Sequence, residues 1–266
     1  METTNMQVAI IGAGNMGGAI ARGLSKGKLI QSKNIRVSDV TQANLDSIKA
    51  FAPEVTVSNS NREIIKNADI IILAVKPWLV EIISEEIENL IDFEKQIVVS
   101  IAAGVDFAQL GNLFNASATM FRVIPNTAID VLQSVSTISS FNATKEQEAL
   151  IVSLFDELGK AFLVPETQLN AFMSLSSCGI AYAFRYIRAA TEGGVEMGIY
   201  PGVAKEVVIQ TLRGAIDLLE ANGTHPEVEI DKVTTPGGIT IKGLNEMEAQ
   251  GFTNAVIKGL KASHLK

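Results

Sequence analysis

Two glycine-bearing turns carry the residues in this chain whose types and spacing could do chemistry. The first reads Gly12, Ala13, Gly14, Asn15, Met16, Gly17, a GxGxxG pattern directly after the apolar run Val8–Ile11 and before a helical run at 19–24. In that context Gly12 permits a tight turn, Gly14 lets the backbone approach a pyrophosphate, and Gly17 lets helix and strand pack closely. The helix N-terminus adds N–H donors and the positive end of a dipole. The pattern reads as dinucleotide binding; the bland alternative is a glycine-rich link between strand and helix. Asp39 lies 22 residues after Gly17, at the end of the second apolar run, where a carboxylate accepts hydrogen bonds from an adenine ribose. No Arg or Lys stands at 40–43 to pair with a 2′-phosphate, although Ser38 and Thr41 have hydroxyls able to donate to one. The pattern leans toward NADH over NADPH. The other role open to Asp39 is capping of the next helix.

The second turn is Thr234, Thr235, Pro236, Gly237, Gly238, Ile239, Thr240, followed by Ile241, Leu244 and Met247 at helical spacing. It reads as a helix N-terminus. Adjacent glycines expose backbone N–H groups and the hydroxyls beside them add donors, which makes a small site for a carboxylate, or else an ordinary N-cap. Ionisable catalysts are scarce. His225 precedes Pro226 in a turn that starts a helix and His264 is near the C-terminus, so neither is a convincing base for oxidising an alcohol. HExxH, CxxC and GxSxG are all missing from the sequence, and no metal site is expected. Reduction of a C=N bond asks for less, because a protonated iminium already attracts a hydride.

The elements that must position these turns are legible in outline. Short β-branched runs at Val8–Ile11, Ile35–Ser38, 55–57, 70–75, Ile97–Ser100, 119–123, 135–139 and 162–164 alternate with amphipathic stretches, among them 145–157. The run at 70–75 has no polar face, as a central strand covered on both sides requires. The expected architecture is doubly wound α/β with a parallel sheet over 1–165, then an all-α domain over 166–266. There a helix starts at Pro201 and stops at Asn222 and Gly223, and the segment 170–197 is apolar around much of its circumference. So few residues do not cover such helices, and a second copy of the chain is the expected cover.

Composition bounds the partners. Of 266 residues, 47% are hydrophobic and 22 Lys plus Arg face 29 Asp plus Glu, a net charge of −7. With no basic run, nucleic acid is not expected. No apolar run approaches the roughly 18 residues of a membrane span, the N-terminus lacks a secretion pattern, and the lone Cys178 cannot pair within the chain. A cytoplasmic protein is expected.

Taken together, GAGNMGGAI from Gly12, AVKP from Ala74, SIAAGV from Ser100, RVIPNT from Arg122, QTLRGA from Gln210 and TPGGITIKGL from Thr235 make the chain resemble the pyrroline-5-carboxylate reductase family over nearly its whole length. The resemblance implies an N-terminal Rossmann domain, a helical C-terminal domain that dimerises, and reduction of 1-pyrroline-5-carboxylate to L-proline by NADPH or NADH. It also implies that Asn61, Ala74, Val75, Lys76 and Pro77 contact the cofactor and that Thr235, Gly237, Gly238, Ile239 and Thr240 hold the substrate, with the Thr240 hydroxyl on the ring nitrogen. Three departures stand out. The family's SGSGPAY is SSCGIAY here, with Ser177, Cys178 and Ile180 in place of Gly, Ser and Pro, a change expected to straighten a helix bend. Ile230 replaces a common Lys, and residues 133–135 replace a glycine-containing turn. Competing expectations are reduction of a related cyclic imine or small hydroxy acid, and a nicotinamide-binding regulator that reduces nothing.

Overall fold

The computed structural model describes residues 5–264; residues 1–4, which begin the polar N-terminal stretch, and residues 265–266 lie outside the described residues. The chain divides into two compact units, Met1–Ser177 and Cys178–Lys266. In the first, strands β1 (Val8–Ile11), β2 (Ile35–Ser38), β3 (Thr56–Ser58), β4 (Ile70–Leu73), β5 (Ile97–Ser100), β6 (Met120–Ile124), β7 (Ser134–Phe141) and β8 (Gly159–Leu163) form one sheet in the order β3-β2-β1-β4-β5-β6-β7-β8. Its helices are α1 (Asn15–Leu24), α2 (Gln42–Phe51), α3 (Asn61–Ile64), α4 (Val80–Ile87), α5 (Phe107–Leu113), α6 (Lys145–Asp156) and α7 (Leu169–Met173).

Side chains sort by strand periodicity. Val8, Ile10, Ile35, Val37, Ile70 and Ile72 enter one apolar cluster, whereas Ala9, Ile11, Ile71 and Leu73 enter another. Both faces of the sheet are therefore covered, which is why β1 and β4 are apolar at every position. β1 and β4 lie side by side, Val8 opposite Ile70 and Ile11 opposite Leu73. The chain winds from β1 outward through β2 and β3, and from β4 outward in the other direction. That reversal opens a crevice beyond the carboxyl ends of β1 and β4, where sheets of this kind bind ligands.

One expectation is corrected. β1 to β6 are parallel, but β7 runs antiparallel to β6, because the connection 125–133 is shorter than the dozen or so residues that a parallel crossover needs. β8 then returns parallel to β7 through α6.

The second unit holds α8 (Gly179–Glu196), α9 (Pro201–Asn222), α10 (Pro226–Val233), α11 (Ile239–Ala249) and α12 (Phe252–Ala262). α9 begins with proline at its first position and ends on Gly223 in the left-handed conformation, as read from sequence. α8 meets α9 where a Cβ on Gly194 would lie 3.0 Å from the Cβ of Ala204. Among the described residues of this unit only Gly194 and Ala204 are buried. Phe184, Met197 and Tyr200 stay 60%, 78% and 83% exposed, so the unit has helices without a core of its own. No described helix is long and apolar enough to cross a membrane.

The segment 170–197 is not the straightened helix expected from Ile180. A π turn, Ser174–Cys178, separates α7 from α8. Ser174 Oγ donates to Asn170 O at 2.9 Å and Ser176 Oγ to Phe172 O at 2.8 Å. Hydroxyls that bond carbonyls one turn back compete with the helical ladder and loosen it there.

Candidate functional site

At the crevice the first turn is built largely by lack of space. Gly12, with φ +99°, closes the tip of β1, and a Cβ there would lie 2.5 Å from Ala74 O. A Cβ on Gly17 would lie 2.0 Å from Gly12 O and 2.8 Å from the Cβ of Ala74, the close helix-on-strand packing that the motif implied. Gly14 differs. It is exposed, has φ −65°, and a Cβ there would meet no heavy atom within 4 Å. Nothing in the fold demands glycine at 14, and without a side chain the backbone there is open to close approach. Gly14 caps α1 without a side-chain bond and the first turn carries no acid, so the N–H groups of Asn15 and Met16 have no partner in the helix and sit at its positive end.

Asp39 follows β2. Its Oδ2 accepts from Ala13 N–H at 2.6 Å and its Oδ1 from Thr41 N–H at 2.7 Å. Thr41, not Asp39, is the N-cap of α2; the Asp39 carboxylate instead braces the glycine turn. Asn61 opens α3 behind Ser60. It accepts from Ser38 Oγ at 2.7 Å and donates to Glu86 Oε2 at 2.8 Å. Ser38 and Glu86 thus fix the orientation of Asn61, and no spacing rule pointed to Glu86, which lies on α4, 25 residues further along the chain. Ala74 and Val75 are half-buried beyond β4, Lys76 is exposed, and Pro77 starts the short turn Pro77–Leu79 that presents Trp78, 72% exposed. Gly12, Ala13, Gly14, Asn15, Met16, Asp39, Asn61 and 74–77 therefore gather at one edge of the first unit's sheet.

The second turn gathers Thr235, Gly237, Gly238, Ile239 and Thr240 at the start of α11, in the other unit. Gly237 has φ +73°, and a Cβ on Gly238 would lie 2.7 Å from Thr235 Oγ1, so the turn itself calls for both glycines. Gly238 N–H donates to Thr235 O at 2.9 Å and is closed to a ligand. The N–H groups of Gly237, Ile239 and Thr240 have no protein acceptor among the described residues, and Gly238 provides no side-chain cap. An anion fits such an end.

Sequence reasoning missed a third cluster, although RVIPNT flagged it. Asn126 Oδ1 accepts from Ala128 N–H at 3.1 Å, its Nδ2 donates to Ser176 O at 3.4 Å, and its own N–H donates to Ser134 Oγ at 3.1 Å. Ser177 Oγ donates to Pro125 O at 3.0 Å. The departure to Ser177 thus adds a tie between the loop after β6 and the π turn. Arg122, buried, pairs with Glu166 at 2.7 Å, and the same Glu166 oxygen accepts from Phe107 N–H at 2.8 Å.

A winding reversal with a GxGxxG turn at the end of β1 is the dinucleotide-binding arrangement, and the class of protein that the comparisons define on it is the NAD(P)H-dependent oxidoreductases. Family models agree: residues 7–104 match NADP oxidoreductase coenzyme F420-dependent, and residues 166–266 match pyrroline-5-carboxylate reductase dimerisation. A pyrroline-5-carboxylate reductase of Methanosarcina acetivorans is 35% identical over 97% of both chains. Pyrroline-5-carboxylate reductase 1 of Dictyostelium discoideum is 36% identical over 99% of this chain, which spans about half of that protein, 49%. The solved structure of a pyrroline-5-carboxylate reductase from Coxiella burnetii superposes with a TM-score of 0.90, at 27% identity, over 98% of this chain and 96% of that one. The chain belongs to the pyrroline-5-carboxylate reductase family.

Proposed function

We propose that this protein reduces 1-pyrroline-5-carboxylate to L-proline, the last step of proline synthesis, with NADPH or NADH. Family membership over nearly the full chain supports the reaction, and the observation that carries the cofactor site is Gly14, a glycine that the fold does not need. When bound, the reduced nicotinamide supplies the hydride. Gly12, Ala13, Gly14, Asn15 and Met16 hold the pyrophosphate, Asp39 takes the adenine ribose, and Asn61 with Ala74, Val75, Lys76 and Pro77 lines the rest of the cofactor site.

Thr235, Gly237, Gly238, Ile239 and Thr240 hold the substrate. Because the Gly238 N–H closes its own turn, the substrate carboxylate falls to the N–H groups of Gly237, Ile239 and Thr240. The Thr240 hydroxyl hydrogen-bonds the ring nitrogen, at which the product carries its proton. Positioning and main-chain dipoles do the work, so an ionisable catalyst has no task here.

Residues 166–266 act as the substrate-binding and dimerisation domain. The near-absence of buried residues in the second unit supports a homodimer in which a second copy covers those helices, and the lone cysteine supports a cytoplasmic setting. Incubating the purified protein with reduced cofactor and 1-pyrroline-5-carboxylate tests the reading. Oxidation of the cofactor with formation of proline is expected. Cofactor binding without oxidation would refute catalysis in favour of a regulator.

A further inference from the structure

We infer that the protein selects NADH over NADPH, and that Asp39 sets the choice; the inference rests on the reading that the crevice beyond β1 and β2 holds the cofactor. The two cofactors differ at one place, the adenine ribose 2′ position, which is a hydroxyl in NADH and a phosphate in NADPH. A hydroxyl can donate to a carboxylate. A phosphate cannot, and its negative charge needs a cation or several free donors.

The tip of β2 offers neither. Asp39 is held in place at both oxygens, by Ala13 N–H and Thr41 N–H, so it cannot swing away from the glycine turn without breaking two hydrogen bonds. The hydroxyls next to it are engaged: Ser38 Oγ, fully buried, donates to Asn61, and Ser58 Oγ at the neighbouring tip of β3 donates to Glu63 Oε2 at 2.6 Å. That last bond brings a second carboxylate to the same edge. Asn59 Nδ2 is on Asp39 O at 2.9 Å. Three cations on the surrounding elements face other partners, and Lys76 follows β4, which lies across β1 from β2. Arg36 donates to Lys66 O, Lys49 to Pro53 O, and Arg62 lies 3.9 Å from Glu86. Val40, the residue after Asp39, is 93% exposed and presents an apolar side chain where a phosphate-binding cation could have stood. Of the two hydroxyls that the sequence left available to a 2′-phosphate, only that of Thr41 remains.

Calorimetric titration of the full-length protein with NADH and with NADPH, without pyrroline substrate, tests this through binding alone. NADH is expected to bind about tenfold more tightly than NADPH, because a like-charge contact at a half-buried carboxylate costs about one such step. Asp39→Ser should narrow that ratio. Since Asp39 also braces the turn, Val40→Arg, at an exposed position, serves as the second variant and should raise NADPH affinity while leaving NADH affinity as it was. Equal or tighter binding of NADPH by the unaltered protein, or an unchanged ratio in both variants, would overturn the inference. Binding of neither cofactor would overturn the crevice reading beneath it, and this inference with it.

Discussion

One hydrogen exchanged for a methyl group at two glycines of the same turn separates packing from ligand binding. At Gly17 the new carbon would lie 2.0 Å from Gly12 O and 2.8 Å from the Cβ of Ala74, and neither neighbour is the flexible end of a side chain. α1 must then lift from β1. Overpacking of this kind costs about 1–3 kcal/mol, and in a unit of this size each kcal/mol lowers the melting temperature by about 2–4 °C. Gly17→Ala is expected to melt roughly 2–12 °C lower. At Gly14 the methyl group meets nothing within 4 Å and φ is −65°, an angle that alanine adopts freely. The remaining cost is a poorer N-cap, about 0.5–1 kcal/mol, offset in part by a stiffer unfolded chain. Gly14→Ala should melt within about 3 °C of the unaltered protein. Its NADH affinity should nevertheless fall about tenfold or more, since the methyl group stands where the pyrophosphate approaches. Scanning fluorimetry gives the first quantity and calorimetric titration the second. Full NADH affinity in Gly14→Ala, or an unaltered melting temperature in Gly17→Ala, would refute this division of labour.

Other perturbations follow from single contacts. Thr240→Ala removes one hydrogen bond near the reacting nitrogen, worth about 1–1.5 kcal/mol, so kcat should fall about tenfold with NADH affinity unchanged and Thr240→Ser retaining most of the rate; an undiminished kcat in the alanine variant would exclude the role. Asn61→Ala leaves the buried Ser38 hydroxyl without its acceptor, which should cost about 1–3 kcal/mol in a denaturant titration; an unshifted midpoint would show the Ser38, Asn61, Glu86 chain to be idle. Glu229, which fastens the turn between α9 and α10, is lowered from 4.5 to about 2 by the Lys232 ammonium first, then the Thr224 hydroxyl and the Asn222 amide. A depressed carboxylate adds stability above its unfolded value, and that stability disappears as the pH falls from about 4.5 through about 2. Glu229→Gln should therefore flatten that stretch of the acid-unfolding curve, and superimposable curves would count against it.

Strands with strong apolar runs were legible to the residue: β1, β2 and β5 have the limits read from sequence. β4 stops at Leu73 rather than at 75, because after Ala74 N–H reaches Ile11 O the chain leaves the sheet at the winding reversal. β7, Ser134–Phe141, is longer than the run at 135–139 that its sequence suggests. Its sequence, SVSTISSF, looks half polar, yet the buried Ser134 and Ser139 find partners in Asn126 and Val164 O, and hydroxyls satisfied in this way can occupy a sheet interior. Its direction depended on the length of 125–133, a constraint that residue propensity does not carry. The π turn was hidden for a similar reason, since helical spacing stays the same on either side of it.

Within the site, motif spacing located both glycine turns and Asp39. It could not foresee that Asp39 braces Ala13 and not α2, that the Gly238 N–H is internally engaged, or that Glu86 orients Asn61. The first and last depend on partners 26 and 25 residues away that only folding brings into reach, and the second on the conformation of a turn whose residues alone do not dictate it.

A structure of the protein with L-proline bound tests the central claim most directly. The proline carboxylate is expected at about 2.8–3.0 Å from the nitrogens of Gly237, Ile239 or Thr240, with the ring nitrogen in hydrogen-bond reach of Thr240 Oγ1. Proline lodged away from residues 235–240 would contradict it.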